Sequence, residues 1–329
     1  MKLTILFMIW LSTTIILYIR RTSNISLELK QKSYGICMCE EENKLYLSGK
    51  KNREIDIVSG KQTALFGTIS SINPKLSFSE RYISLPSTYD GIEVIDRKVN
   101  NKTVFRYSAY ANHTEMIPYC AWHKMNDILV FSTKKEILVI NLEHEENPRV
   151  LFDLNDFSSV ESGKANNHIA FIKSFDVVGN DVYTIVYRSP DPCIIVKTNL
   201  FDGTSQIIND SKPVDCPNSI ISDGRDGYYL LRWGKGISHC LADSSEEEHI
   251  PEIEAGVSMA VSDNGLLLSV NHYPTKKAVC IYNTKSRRLI SEISTDYQVI
   301  SMAFSTLNHY ILLSGEKSLV IKCNDEAKC

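Results

Sequence analysis

The sequence lacks the short motifs that identify most nucleotide-binding and hydrolytic enzymes. It contains no G-x-x-x-x-G-K-[ST] phosphate loop and no G-x-S-x-G nucleophile elbow. The net charge is only -3, and no basic stripe of the kind that binds nucleic acid is present. Gly and Pro number 15 and 10 in 329 residues, which excludes long flexible or collagen-like segments. We therefore expect no catalytic residue, no cofactor and no nucleic-acid partner.

Clusters of metal-binding residues are also missing from the sequence. Cys37-x-Cys39 is the only close pair of cysteines, and the eight histidines are scattered. The nine cysteines cannot all pair, and most lie inside apolar runs, which favours buried, reduced thiols. The alternative is a bond between the two ends of the chain, joining Cys37 or Cys39 to Cys323 or Cys329. The sequence predicts no metal site.

Helical periodicity is absent after the first 21 residues, and short strands take its place. Residues 256–294 contain four short apolar or alternating runs separated by turns, one of them marked by Asp263-Asn264-Gly265. Four strands in about forty residues form one blade of a β-propeller. This stretch provides the pattern against which the rest of the chain can be compared.

The same pattern occurs seven times along the chain, with residues 256–294 counted as one of the seven. Each unit has an apolar triplet, preceded by a second apolar run that we interpret as the neighbouring strand. The triplets are Ile55-Asp56-Ile57, Ile92-Glu93-Val94, Ile137-Leu138-Val139, Ile194-Ile195-Val196, Ile237-Ser238-His239, Val279-Cys280-Ile281 and Leu319-Val320-Ile321. The repeat predicts an all-β fold, a seven-bladed β-propeller over residues 22–329.

The last unit lacks a fourth strand, because only NDEAKC follows its final triplet. A spare alternating segment, ISLEL at residues 25–29, precedes the first unit. A propeller must close to avoid leaving an unpaired strand edge. We therefore predict that residues 25–29 supply the outer strand of the seventh blade.

The units at 256–294 and 299–323 resemble WD40-like propeller repeats. They share the S-x-A-x-S strand, the turn before a Leu-rich strand and the V-x-I-Y strand. The Trp-Asp and Gly-His dipeptides of WD40 repeats are absent, so the resemblance is to a divergent member. It implies a protein-binding platform and assigns no catalytic residue.

The chain begins with an uncharged apolar run at residues 3–19, bounded by Lys2 and by Arg20-Arg21. Seventeen residues is the short limit for a helix that spans a bilayer, and no small-x-small cleavage site follows. We expect residues 1–21 to form a single hydrophobic helix that acts as a membrane anchor or uncleaved signal. The alternative is a cleaved signal peptide.

The charges that flank this run favour a propeller on the cytoplasmic side of a membrane of the ER or secretory pathway. Arg20, Arg21, Lys30 and Lys32 follow the run, whereas only Lys2 and the amino terminus precede it. Sequons at Asn24, Asn101, Asn112 and Asn209 leave a lumenal location open. We expect a monomer.

Propellers bind partners on one face, around the central channel. In the WD40 layout that face carries the loops between second and third strands, together with the links between blades. Aromatic and Arg side chains in such loops are typical of binding patches. The residues that we expect to bind a protein partner are Tyr89, Asp90, Arg188, Arg232, Trp233, His272 and Tyr273.

Two functions fit this pattern. The first is a membrane-tethered interaction platform in trafficking, similar to the ER-exit exchange-factor propellers, although their anchor follows the propeller. The second is a lumenal or secreted propeller that binds or hydrolyses a small ligand. Paraoxonase-like and strictosidine-synthase-like enzymes have such an N-terminal anchor, but they have six blades and a calcium site. Asn271 and Asp263 are the residues that such a site would use here.

Overall fold

A computed structural model describes residues 25–109, 116–144, 147–155, 169–189, 191–211, 216–232, 234–242, 244, 246–253, 256–272 and 276–323. Within these ranges, 28 strands form seven four-stranded antiparallel sheets. The strands of the first three blades, from inner to outer, are β2 (Gly35–Cys39), β3 (Lys44–Ser48), β4 (Arg53–Asp56) and β5 (Gln62–Leu65); β6 (Lys75–Leu76), β7 (Tyr82–Ser87), β8 (Gly91–Asp96) and β9 (Lys102–Ser108); and β10 (Met116–Trp122), β11 (Ile128–Thr133), β12 (Glu136–Asn141) and β13 (Arg149–Asp153).

The remaining four blades have the same order. Their strands are β14 (Ile169–Val178), β15 (Asp181–Ser189), β16 (Cys193–Asn199) and β17 (Ser205–Ser211); β18 (Ser219–Ser222), β19 (Gly227–Arg232), β20 (Gly236–Leu241) and β21 (Glu247–Ile250); β22 (Ser258–Val261), β23 (Leu267–Asn271), β24 (Ala278–Asn283) and β25 (Leu289–Ser294); and β26 (Val299–Phe304), β27 (Tyr310–Gly315), β28 (Ser318–Lys322) and β1 (Ile25–Leu29). The predicted all-β, seven-bladed architecture is confirmed.

The seven sheets form a closed ring. Each inner strand adjoins the inner strands of the blades before and after it, and β2 completes the circle by contacting both β6 and β26. Each sheet is an antiparallel meander, so successive loops alternate between two faces of the ring. We call the top face the one that carries the loops between second and third strands and the connections between blades. The bottom face carries the loops between first and second strands and between third and fourth strands.

The core lies between the blades, where the sheets pack face to face. The cluster between blades 1 and 7, for example, joins Ile36, Leu45 and Ile55 to Leu312 and Val320. Second and third strands are covered on both faces; β7, β8 and β11 are buried at every residue. Strands buried on both faces have continuous apolar sequences, which is why the predicted triplets coincide with the third strands.

The seventh blade takes its outer strand from the other end of the chain. β1 pairs antiparallel with β28, aligning Leu27 with Val320 and Leu29 with Ser318. Leu27 and Leu29 pack against the cluster between blades 1 and 7. After β1, the Ser33 amide donates to the Gly315 carbonyl at 2.9 Å. Residues 25–29 therefore supply the outer strand of the seventh blade, as the sequence predicted, and close the ring through a sheet.

Several bottom-face hairpins are fixed by a polar side chain at the end of the inner strand. The backbone N–H at the start of the next strand donates to Ser262 Oγ at 2.9 Å, to Ser305 Oγ at 3.0 Å and to Asp223 Oδ1 at 3.0 Å. Asp223 also accepts from His239 Nε2 at 2.9 Å. Burial alone would raise the pKa of Asp223, but the hydrogen bonds from His239 and from the Arg225 and Gly227 amides outweigh it and lower that pKa.

One disulfide joins blade 4 to the connection that leads into blade 5. Cys193 in β16 and Cys216 are bonded, with their Cα atoms 5.4 Å apart. This corrects the expectation for Cys193, which reads in sequence as a small buried hydrophobe, because a partner 23 residues away lies within bonding distance. Cys37, Cys39 and Cys323 are free, so among the described residues the ends of the chain are not joined by a disulfide.

The predicted N-terminal helix and anchor at residues 1–21 lie outside the described residues. Among the residues that are described, no helix is long and apolar enough to cross a membrane.

Candidate interaction faces

Tyr89 and Asp90 lie where the sequence predicted, in the top-face loop between β7 and β8. The Tyr89 side chain is 80% exposed. The loop is held by Ser87, whose Oγ donates to Asp90 Oδ2 at 3.0 Å, and by the Asp90 carbonyl, which accepts from the Ala109 amide. Gly91 follows with φ of 107°, and any side chain there would collide with the Tyr107 carbonyl. Tyr89 is therefore an aromatic tip on a fixed loop.

The other predicted residues divide into three groups. Arg188, at the top end of β15, is half-buried, and its Nε donates to the Pro192 carbonyl at 2.9 Å. Arg232 forms a two-pronged ion pair with Glu247 and its side chain is 12% exposed, while His272 is buried. These two side chains are therefore held within blades 5 and 6. Trp233 and Tyr273 lie outside the described residues.

A buried carboxylate fixes the connection between blades 1 and 2, which lies on the same face as Tyr89. Glu93, in β8, is 1% exposed. Its oxygens accept from the Thr68 amide at 2.6 Å, the Ile69 amide at 3.2 Å and Thr103 Oγ1 at 2.7 Å. Asn52 Nδ2 adds a bond to the Ile69 carbonyl at 2.8 Å. Sequence reasoning treated Glu93 as the polar member of a strand and missed this role.

Two sets of loops, one on each face, differ in charge. The loops between second and third strands, on the top face, contain eight lysines against three acidic residues: Lys50, Lys51, Lys134, Lys135, Lys235, Lys276, Lys277 and Lys317 against Asp90, Asp191 and Glu316. The loops between first and second strands, on the bottom face, have the reverse balance: Glu40, Glu41, Glu42, Glu80, Asp127, Asp223, Asp226 and Asp263 against Arg81, Lys124 and Arg225. The remaining loops do not share this bias. The connections between blades, on the top face, contain seven acidic residues against four lysines, and the third-to-fourth-strand loops, on the bottom face, contain six residues of each sign.

The bottom mouth of the channel is crossed by a lysine. Lys124, in the hairpin of blade 3, donates from Nζ to the Gly224 carbonyl of blade 5 at 2.6 Å. Desolvation by the surrounding loops raises the pKa of Asp263, and the positive charges of Lys124 and Lys75 partly offset that rise. Gly224 and Gly265 allow the hairpins of blades 5 and 6 to come into backbone contact, since a Cβ at Gly265 would be 2.2 Å from the Asp223 carbonyl oxygen.

Large apolar side chains project from the bottom face, where the sequence suggested no site. Phe78 and Met125 lie at the tips of first-to-second-strand hairpins, and Phe201 lies in a third-to-fourth-strand loop. The signal that could have identified them is an apolar residue inside an otherwise polar turn, as in SFSER, HKMND and LFDGT.

No protein-family model matches the sequence, and no curated protein matches it. Solved structures do match the fold. The β-propeller domain of Cps50 (Swd1) from Myceliophteria thermophila gives a TM-score of 0.69 at 11% identity, covering 92% of this chain and 99% of that one. The WD40 repeats of RRP9 give 0.69 at 9% identity, with 92% and 98% covered. U3-55K gives 0.68 at 9% identity, with 92% and 99% covered. The chain is thus similar to WD40-type propellers in fold.

Proposed function

We propose that this propeller is a protein-interaction platform, tethered to a membrane by residues 3–19, and that its top face binds a protein with an acidic surface. The observation that carries the proposal is the fixed, 80% exposed Tyr89 on a face whose second-to-third-strand loops hold eight lysines against three acidic residues. Tyrosine is common at the centre of interfaces, and the lysines of these loops attract an acidic partner.

The partner is of protein size because the exposed groups are spread over several blades. Tyr89 lies in blade 2, Lys135 in blade 3 and Lys235 in blade 5, and all three are exposed. The bracing of the 66–74 connection by Glu93 keeps the adjoining surface in place before binding. A preformed surface loses little conformational entropy when it is covered, which favours a rigid docking site.

The test uses two matched double variants in the same two blades. Tyr89→Ala with Lys135→Glu alters the top face, and Met125→Ala with Lys98→Glu alters the bottom face; all four side chains are exposed. We expect the top-face variant to reduce the recovery of cross-linked partner proteins about tenfold or more, as loss of an aromatic anchor does. The bottom-face variant should recover them at the wild-type level. The readout is quantitative mass spectrometry of cross-linked, affinity-purified full-length protein.

Both variants should keep the thermal midpoint of the wild type, because each replaces exposed side chains only. Equal recovery of partners by the two variants would contradict a top-face site. Equal loss by both, at an unchanged midpoint, would show that the site is not confined to one face.

The side of the membrane is a separate proposal, and the disulfide bears on it. Disulfides persist in the secretory pathway and are rare in the cytosol. The Cys193–Cys216 bond therefore supports a propeller on the lumenal side of a membrane of the ER or secretory pathway. The charges within residues 2–32 favour the opposite, cytoplasmic side. In sealed microsomes, a membrane-impermeant thiol reagent should not reach a Tyr89→Cys variant. Labelling without opening the vesicles would place the propeller in the cytoplasm.

A further inference from the structure

The polypeptide enters the propeller from the bottom face. Third strands run from top to bottom, and β1 is antiparallel to the third strand β28, so Ile25 lies at the bottom end of blade 7. A bottom-face neighbour agrees with this placement, since a Cβ on Gly60, in the loop after β4, would be 3.4 Å from Leu27 Cδ1. Ile25, the first described residue, therefore lies on the bottom side of the ring.

The segment between the apolar run and the first strand is short. Residues 20–24 are the five residues RRTSN. Five residues span at most about 17 Å when fully extended. A bilayer that held residues 3–19 would therefore lie within that distance of the point where Ile25 enters blade 7, and the nearest surface of the propeller would be the bottom face.

The bottom face, which would be nearest the bilayer, carries exposed apolar side chains. Phe78 is 66% exposed, Met125 82% and Phe201 55%. The loops that hold them are linked: Ser79 Oγ donates to Asp127 Oδ1 at 2.8 Å, the Met125 amide donates to His123 Nδ1 at 3.3 Å, and the His123 and Phe201 rings lie 6.1 Å apart. The three apolar tips thus belong to one braced row across blades 2, 3 and 4.

Two further exposed apolar residues lie in bottom-face loops, Val58 in blade 1 and Leu307 in blade 7. Their blades are the two next to the start of β1. On the top face the described loops expose fewer large apolar groups, of which Tyr89 is the most exposed. Apolar tips on a solvated ring are normally covered by a partner or a membrane.

The charge of the bottom face limits the kind of lipid. Over both sets of its loops, the bottom face contains fourteen acidic residues against nine basic ones. This net negative charge disfavours contact between the loops and anionic headgroups. A bilayer of zwitterionic lipid has no net negative charge to oppose the acidic loops.

We infer that the bottom face rests on a zwitterionic bilayer, with the row Phe78, Met125 and Phe201 in the headgroup region, and that this orientation points the top face away from the membrane. The inference depends on the proposed tether at residues 3–19. It adds an orientation that tethering alone does not impose, because a flexible tether would let the ring turn freely above the surface.

The experiment compares two single-cysteine positions of equal exposure on opposite faces of the full-length protein. Met125→Cys reports on the bottom face and Tyr89→Cys on the top, their native side chains being 82% and 80% exposed. Cys323 and Cys329 are replaced by Ser, because Cys37, Cys39, Cys120, Cys240 and Cys280 are already buried. The readout is the labelling rate with a polymer-linked maleimide in toxin-opened microsomes, and again after addition of detergent.

We expect Met125→Cys to react about tenfold more slowly than Tyr89→Cys in membranes, because headgroups cover it. Detergent should make the two rates equal. Liposomes of phosphatidylcholine alone should reproduce the protection after reconstitution.

Equal rates before detergent would overturn the orientation, and so would protection that survives detergent, since a protein segment and not lipid would then cover the face. Alkaline carbonate extraction separates the two proposals. Release of the chain from the membrane would overturn the tether and the orientation together. Retention with equal labelling rates would leave the tether standing and overturn the orientation alone.

Discussion

Replacing residues 25–29 by a Gly-Ser segment of equal length should lower the thermal midpoint of the propeller by about 8 °C or more, or prevent folding. The replacement removes two Leu side chains from the cluster between blades 1 and 7, each contributing about 1.5–3 kcal/mol. It also exposes the edge of β28, whose backbone pairs with residues 25–29 over most of its length. Equal length keeps the linker to residues 1–24 unchanged.

Point variants separate packing from pairing in this strand. Leu27→Ser should lower the free energy of unfolding by about 2 kcal/mol, because the Leu27 side chain packs against the core. Ile25→Ser, at an exposed position, should change that free energy by no more than about 0.5 kcal/mol. Differential scanning calorimetry of the purified protein measures both. A wild-type midpoint for the Gly-Ser replacement would contradict closure through β1.

Glu93→Ala should destabilise the protein by about 3 kcal/mol or more, because it leaves the Thr68 amide and the buried Ile69 amide without an acceptor. Glu93→Gln keeps one acceptor oxygen and should recover part of this loss. The exposed Glu292, on the outer strand β25, provides the matched control, and Glu292→Ala should change the free energy of unfolding by less than about 0.5 kcal/mol.

The same substitution also tests the role of the braced connection in binding. Releasing residues 66–74 should weaken partner binding at temperatures where Glu93→Ala is still folded, because part of the top face is no longer held. Chemical denaturation gives the stability change, and partner recovery gives the binding change. A stability equal to that of Glu292→Ala would show that the hydrogen bonds to Glu93 do not hold this connection.

The architecture was predictable from the sequence because blades bury their middle strands completely. Runs such as Ile128-Leu129-Val130-Phe131 have no polar face, and their spacing reveals the repeat. Inner strands were harder to recognise, since β6 is only Lys75–Leu76 and one edge of an inner strand faces the channel. The outer strand of blade 7 could be assigned because ring closure requires a strand that only residues 25–29 could supply.

The candidate site was less predictable, because a loop sequence does not reveal which side chains turn inward. Arg232 looks like a surface cation until Glu247, 15 residues later, is seen to pair with it. His272 follows a strand and reads as a loop residue, yet it is buried. The Cys193–Cys216 bond and the row of Phe78, Met125 and Phe201 depend on contacts between separate loops or blades, which no local pattern records.

The distribution of intermolecular cross-links over lysines tests the central claim most directly, namely that partners bind the top face while the bottom face is turned to the membrane. With the full-length protein in native membranes and a lysine-reactive cross-linker, we expect links to other proteins at Lys50, Lys51, Lys135 and Lys235 of the top face. The bottom-face lysines, Lys61, Lys98 and Lys285, should give few or none until detergent is added. Links to partner proteins concentrated on Lys61, Lys98 and Lys285 in intact membranes would contradict the account.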